Sequence, residues 1–283
     1  MRLVSFGEPG REQAGVVRED RVIPLHALDP AWVGGLKSLL SHLCLEELRE
    51  RLSATQVPGV PLSEVRLRPP VPDAGKVICV GLNYVDHAEE QGRTLPETPL
   101  LFAKASSALT GPHDDVVIPQ GITHVDYEAE LACVVGKGGR DIPQEQALEH
   151  VAGYMVLNDV SARKLQSSER QWFRAKSMDT FAPCGPALIT TDEIPDPHAL
   201  DISLELNGEV RQSSNTRNLH FRVDYLLAYL SRTMTLEPGD ILSTGTPGGV
   251  GIYSDPPVFL KDGDEMVTRI QGLGELRNRV RQA

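Results

Sequence analysis

Residues 201–210 alternate in polarity, with Ile202, Leu204 and Leu206 set against Ser203, Glu205 and Asn207. A period of two puts each set on its own face of a strand, and Asn207-Gly208 is the dipeptide that a two-residue hairpin favours. Arg211-Gln212 then opens the return strand. Elsewhere the apolar residues run without a break. Residues 76–81 and 151–157 read as strands buried on both faces, and 187–190, 100–104 and 239–243 read as further strands. Residues 2–6, 14–17 and 21–25 read as short strands joined by charged turns, and the tail from 262 to 270 as a final hairpin. Helical spacing marks 36–52, through Leu36, Leu39, Leu40, Leu43, Cys44, Leu48 and Leu52, and also 221–234, through Val223, Leu226, Leu227 and Leu230. Residues 144–150 read as a short helix.

These elements predict an α+β chain that is mostly β. Pro69-Pro70-Val71-Pro72 marks a boundary between a small N-terminal α/β domain, residues 1–70, and a larger domain, residues 71–283. The chain has 283 residues, 40% hydrophobic, and a formal net charge of −11. That balance argues against a nucleic-acid or acidic-membrane surface. No run reaches the ~20 apolar residues that span a bilayer. Cys44, Cys79, Cys133 and Cys184 form no Cys-x-x-Cys pair, so buried free thiols in a reducing, cytoplasmic setting are expected.

Candidate chemistry starts at 126–135, Asp-Tyr-Glu-Ala-Glu-Leu-Ala-Cys-Val-Val. As a strand, it points Glu128 and Glu130 the same way. Two adjacent carboxylates repel, so a buried pair asks for a hard divalent cation, whereas an exposed pair is simply a solvated face. His87 and Glu90 are one helical turn apart, which suits either an oriented general base or an exposed helix surface. Residues 91–99 are a lid or a surface loop, and Lys104 approaches a site or faces solvent. Asp159, at the mouth of an apolar strand, is a site residue, a helix N-cap or both. Lys176 sits among aromatic and apolar residues as a partly buried amine. The turn at 244–251, Thr-Gly-Thr-Pro-Gly-Gly-Val-Gly, lets backbone N–H groups approach a ligand carboxylate, but it is neither a P-loop nor a dinucleotide fingerprint.

Taken in order, Gly81-Leu82-Asn83-Tyr84 with His87, Asp126 to Leu131, Asn158-Asp159-Val160-Ser161-Ala162-Arg163, Lys176 to Phe181, and Thr244 to Gly251 resemble the fumarylacetoacetate hydrolase family across residues 70–270. The resemblance implies a mixed β-roll or barrel-like catalytic domain, a homodimer, and a place in aromatic catabolism. It implies Mg²⁺ or Mn²⁺, with Ca²⁺ as a substitute, on Glu128, Glu130 and Asp159. His87 with Glu90 would activate water and Lys176 would contact substrate oxygen. Thr246 would hold a carboxylate, and Tyr84, Lys104, Arg163 and Gln212 would complete the substrate site. Lys164, Ala175 and Met178 depart from the family's usual Asp, Gly and Phe, which bears on the pocket wall more than on the metal ligands.

The expected reaction is hydrolysis of a C–C bond in an acylpyruvate or 2,4-dioxo acid, with a metal-bound enolate as leaving group. The alternatives are an oxaloacetate-type decarboxylase or a 2-hydroxy-dienoate isomerase on the same site, and a non-catalytic metal or dicarboxylate binder. The expected partner is a small 2-oxo acid.

Overall fold

The strand Ala129–Val135 is buried at every position. In the computed structural model, which describes residues 1–42 and 45–283, it lies inside a mixed sheet. Antiparallel neighbours are Val151–Asn158 on one side and Ile241–Ser243 on the other. Beyond them lie Ala182–Thr190, antiparallel to Val151–Asn158, and Val77–Gly81, parallel to Ile241–Ser243. Leu100–Lys104 closes that edge. The sheet is an open path rather than a closed barrel, and its mixed pairing agrees with the α+β, mostly β expectation.

Both faces of this sheet are covered, which is why its strands read as continuous apolar runs. Ala129, Leu131, Cys133 and Val135 pack on one side, with Ile202, Leu204 and Met266 of a second, five-stranded sheet and with Leu226 and Leu230 of the helix Val223–Ser231. Ala132 and Val134 pack on the other side, with Trp32, Leu36, Leu39 and Leu48 from the N-terminal segment. That segment is also tied in by hydrogen bonds, since Arg2–Phe6 pairs with Ala182–Thr190. Residues 1–70 therefore supply one wall of the core shared with the rest of the chain.

The hairpin at Asn207-Gly208 forms as its sequence predicts, with φ of 54° and 80° at the two turn residues. Three expectations differ. The helix expected over 36–52 is found as Leu36–Leu40 and Leu45–Ala54, and Leu43 and Cys44 lie outside the described residues. The strand expected from Ala187 begins at Ala182. Pro183, Gly185 and Pro186 resemble a turn, yet they lie within the strand, where a register shift sets the longer step from Gly185 to Ile189 against the shorter step from Val156 to Tyr154 of its partner. Asp159 caps no helix: the helix Arg163–Glu169 begins later, after a short strand at Ser161–Ala162. Cys79, Cys133 and Cys184 are buried free thiols, as expected. Among the described residues, no helix is long and apolar enough to cross a membrane.

Candidate metal centre and active site

Strand register brings the acidic residues together. Ala129 pairs with Asn158 and Glu130 with Leu157. Continuing that register by one residue sets Glu128 against Asp159, and the Asp159 N–H donates to the Glu128 carbonyl at 2.8 Å. Glu128, Glu130 and Asp159 each offer an oxygen within 4.8 Å of the others, and all three are buried. The solvated-face reading of the Glu-x-Glu pair is excluded by that burial.

Three cations surround the triad. Lys176 Nζ donates to Glu128 at 2.5 Å and to Asp159 at 2.7 Å, and Lys104 Nζ donates to the other Asp159 oxygen at 2.6 Å. Arg163 reaches Glu128 at 2.6 Å and Asp126 at 2.9 Å. Burial alone would push the Glu128 carboxyl up, but Arg163 and Lys176 outweigh it and hold it at about 2. Glu130 goes the other way. Burial pushes it well above the usual carboxylate range, and Asp159 and Glu128 push it further. Its Oε2 accepts from Ser243 Oγ at 2.5 Å and from the Gly245 N–H at 3.0 Å. Gly245 has φ +98°, and a Cβ there would lie 2.8 Å from the Val80 carbonyl, so this donor requires glycine. An all-oxygen donor set with one carboxyl left unbalanced by protein cations suits a hard divalent ion.

Glu128 and Glu130 line the floor of a cavity of about 300 Å³, and Asp159 lies fully buried beside them. His87, Gln91, Arg93, Arg163, Lys176 and Thr246 also line it, with walls that include Phe102, Trp172 and Tyr253. His87 is buried, on the helix Val85–Glu90. Its Nδ1 lies 3.1 Å from Glu90 Oε2, and the Gln91 carboxamide N lies 2.7 Å from its Nε2. With Gln91 donating, Nε2 carries the lone pair and Nδ1–H donates to Glu90. Glu90 is itself held by the Gly249 N–H at 2.9 Å. Arg163 Nη2 is buried and has no hydrogen-bond partner among the described residues.

Other expected site residues stand one layer back. Lys104 is buried against Asp159 and does not face solvent. Gln212 Nε2 donates to Thr246 Oγ1 at 2.8 Å and to the Pro247 carbonyl at 2.9 Å, while its Oε1 accepts from the Ala129 N–H. Tyr84 is fully buried and its hydroxyl has no hydrogen-bond partner among the described residues.

Spacing missed three supports. Asp126 accepts from Arg163 and from the N–H groups of Gly251 and Ile252, which ties the guanidinium to the end of the Gly-rich turn. Asn83 bonds the Thr244 carbonyl at 2.8 Å and both backbone groups of Phe221. Gln91 holds the imidazole. Asp126 and Asn83 stand inside the motifs quoted above, so a buried polar residue within each motif was the available signal.

Residues 76–281 match the family model described as fumarylacetoacetate (FAA) hydrolase C-terminal. An oxaloacetate tautomerase of Rattus norvegicus (Fahd2a, mitochondrial) is 45% identical over 287 residues, 99% of this chain and 91% of its own length. A structure of maleylpyruvate hydrolase from Sphingobium sp. SYK-6, in complex with manganese (II) ion and pyruvate, is 34% identical with a TM-score of 0.82, covering 100% of both chains. A 5-carboxymethyl-2-hydroxymuconate delta-isomerase from Mycobacterium smegmatis is 35% identical with a TM-score of 0.78, covering 100% of this chain and 99% of its own. The chain belongs to the fumarylacetoacetate hydrolase family, whose matched members are named as tautomerases, hydrolases and isomerases.

Proposed function

We propose that the protein is a divalent-metal-dependent tautomerase of oxaloacetate-type 2-oxo dicarboxylates, which moves a proton between the methylene carbon and the 2-oxo oxygen. The observation that carries this reading is His87 Nε2, the acceptor nitrogen of an imidazole held by Glu90, set in the same cavity as Glu128, Glu130 and two cationic donors. The tautomerase relative, similar along nearly the whole chain, favours this reaction over the other family chemistries.

Glu128, Glu130 and Asp159 would hold Mg²⁺ or Mn²⁺ (or Ca²⁺ as a substitute), and the bound ion supplies Lewis acidity to the carbonyl of a 2-oxo acid. Arg163 Nη2, without a partner among the described residues, donates to the substrate's first carboxylate beside the Thr246 hydroxyl. His87 Nε2 takes the proton from the methylene carbon after the Gln91 carboxamide swings aside. Glu90 accepts from Nδ1–H and stabilises the imidazolium that results. Lys176 gives up one carboxylate contact and delivers a proton to the enolate oxygen. Phe102 and Trp172, ring centroids 5.2 Å apart, keep water from that wall. Lys104, Gln212 and Tyr84 act through others: Lys104 orients Asp159, Gln212 orients Thr246, and Tyr84 backs Glu130.

The charge count supports an anionic substrate. A divalent ion together with Lys104, Lys176 and Arg163 outweighs Asp126, Glu128, Glu130 and Asp159 by one positive charge.

The second reading is C–C hydrolysis of an acylpyruvate, favoured by the same His87–Glu90 pair, which would deprotonate water equally well. The two separate on products. With Mg²⁺ added, oxaloacetate should lose its enol absorbance faster and take deuterium from solvent at the methylene carbon. If oxaloacetate is untouched while an acylpyruvate is cleaved with solvent oxygen entering a carboxylate, the hydrolase reading replaces this one. Release of carbon dioxide would point to decarboxylation, and binding without any turnover to a sensor. The same reading includes a homodimer in a cytoplasmic setting, checked by mass in solution and by fractionation.

A further inference from the structure

We propose that Arg93 is the residue that selects a dicarboxylate, by binding the substrate's distal carboxylate at the cavity mouth. The inference rests on the reading of the cavity as a 2-oxo acid site and assigns its outer end.

The helix that carries His87 ends in a defined way. Gln91 is its last, half-helical residue, and Gly92 follows with φ +59°. The Gly92 N–H donates to the Glu89 carbonyl at 3.0 Å, and the Arg93 N–H donates to the Ala88 carbonyl at 2.9 Å. Those two bonds are the paired closure that a left-handed glycine makes at a helix C-terminus, and they fix the backbone from which Arg93 projects. His87, Gln91 and Arg93 are thereby held on one stop of the chain, and all three line the cavity.

Depth orders the cavity's charges. Glu128, Glu130 and Lys176 at the floor are buried, whereas Arg93 is exposed. Lys176 and Arg163 are held at the floor by its carboxylates, and what they offer a substrate is spent on its first carboxylate and 2-oxo oxygen. Arg93 also lines the cavity, and among the described residues its guanidinium has neither an ion pair nor a side-chain hydrogen bond. Between floor and mouth the wall includes Leu82, Phe102 and Trp172, which offer no charge. A 2-oxo acid seated on the floor therefore extends along an apolar wall towards a free guanidinium. A planar fork of donors matches a carboxylate in two-pronged fashion, and a lysine would not reproduce that geometry.

The test is calorimetric binding in magnesium buffer of two ligands that differ only at the outer end, oxaloacetate and its 4-methyl ester. The wild-type protein should bind the diacid roughly 10-fold more tightly than the ester, a preference that shrinks as salt is raised. Arg93→Ala should bring the diacid to the ester's affinity while leaving the ester unchanged, and Arg93→Lys should recover only part of the difference. Three results would overturn the proposal: a wild-type protein without preference, a variant that keeps the preference, or an equal loss for both ligands. Turnover is scored separately. A protein that shows the Arg93-dependent preference but fails to tautomerise oxaloacetate would refute the proposed reaction and leave this assignment standing.

Discussion

Two clusters in this protein are made from the same residue types and behave differently. Around Asp114, Arg66 donates to one carboxylate oxygen at 2.9 Å, while Arg68, Thr110 and the Gly111 N–H share the other. Burial opposes the charge, but those donors win and hold the carboxyl below its usual range. Around Glu128, carboxyls outnumber cations, and the surplus falls on Glu130, whose carboxyl is driven up. One cluster is complete as it stands. The other is complete only with a further positive charge. A carboxyl forced away from its ordinary state inside a cavity thus distinguishes a site from a staple, where a count of ion pairs would not.

The largest effect that would break this comparison is at the triad. Glu128→Ala should lower divalent-metal affinity more than about 100-fold and abolish turnover, whereas Asp114→Asn should leave metal affinity unchanged. Titration calorimetry on both variants checks the pair. His87→Ala comes next. Loss of the base should cut kcat by about 10²–10⁴ with metal affinity intact, which separates holding the ion from moving the proton.

Metal binding should also depend on pH in a direction set by Glu130. Its raised carboxyl must lose a proton before it can coordinate, so metal binding should be accompanied by proton release and weaken as pH falls. Calorimetry in buffers of different ionisation enthalpy reads that proton. An affinity flat with pH would remove the distinction between the clusters. Asp114 gives the smallest effect and the opposite pattern. A depressed carboxyl contributes stability above its unfolded value near 4, and that contribution is lost as pH falls below it. Asp114→Asn should cost about 1–2 kcal/mol at pH 7, with the gap to wild type closing in acid, as followed by denaturant unfolding.

What the chain disclosed unaided followed its periodicities. Alternation marked Ile202 to Leu206, continuous runs marked the central strands, and Glu128 and Glu130 on one face marked a candidate ligand pair, to which Asp159 was added only by the family resemblance. What it concealed depends on partners distant in sequence. Lys104 reads as any strand-end lysine until Asp159, 55 residues away, is placed against it. Asp126 stands inside a motif, but nothing in its spacing tells that it holds Arg163 and the Gly-rich turn together. Pro183 and Pro186 read as a break, because the irregularity at 185–189 shows as part of a strand only once Val151–Asn158 is paired with it. Gln91 is one polar residue at a helix end, and only the fold turns it onto the imidazole.

Anomalous diffraction from crystals grown with Mn²⁺ tests the account most directly. It predicts one ion bounded by oxygens of Glu128, Glu130 and Asp159, with Lys176 Nζ moved off at least one of the carboxylates it bridges. A triad still bridged by Lys176, with manganese bound elsewhere or nowhere, would contradict it.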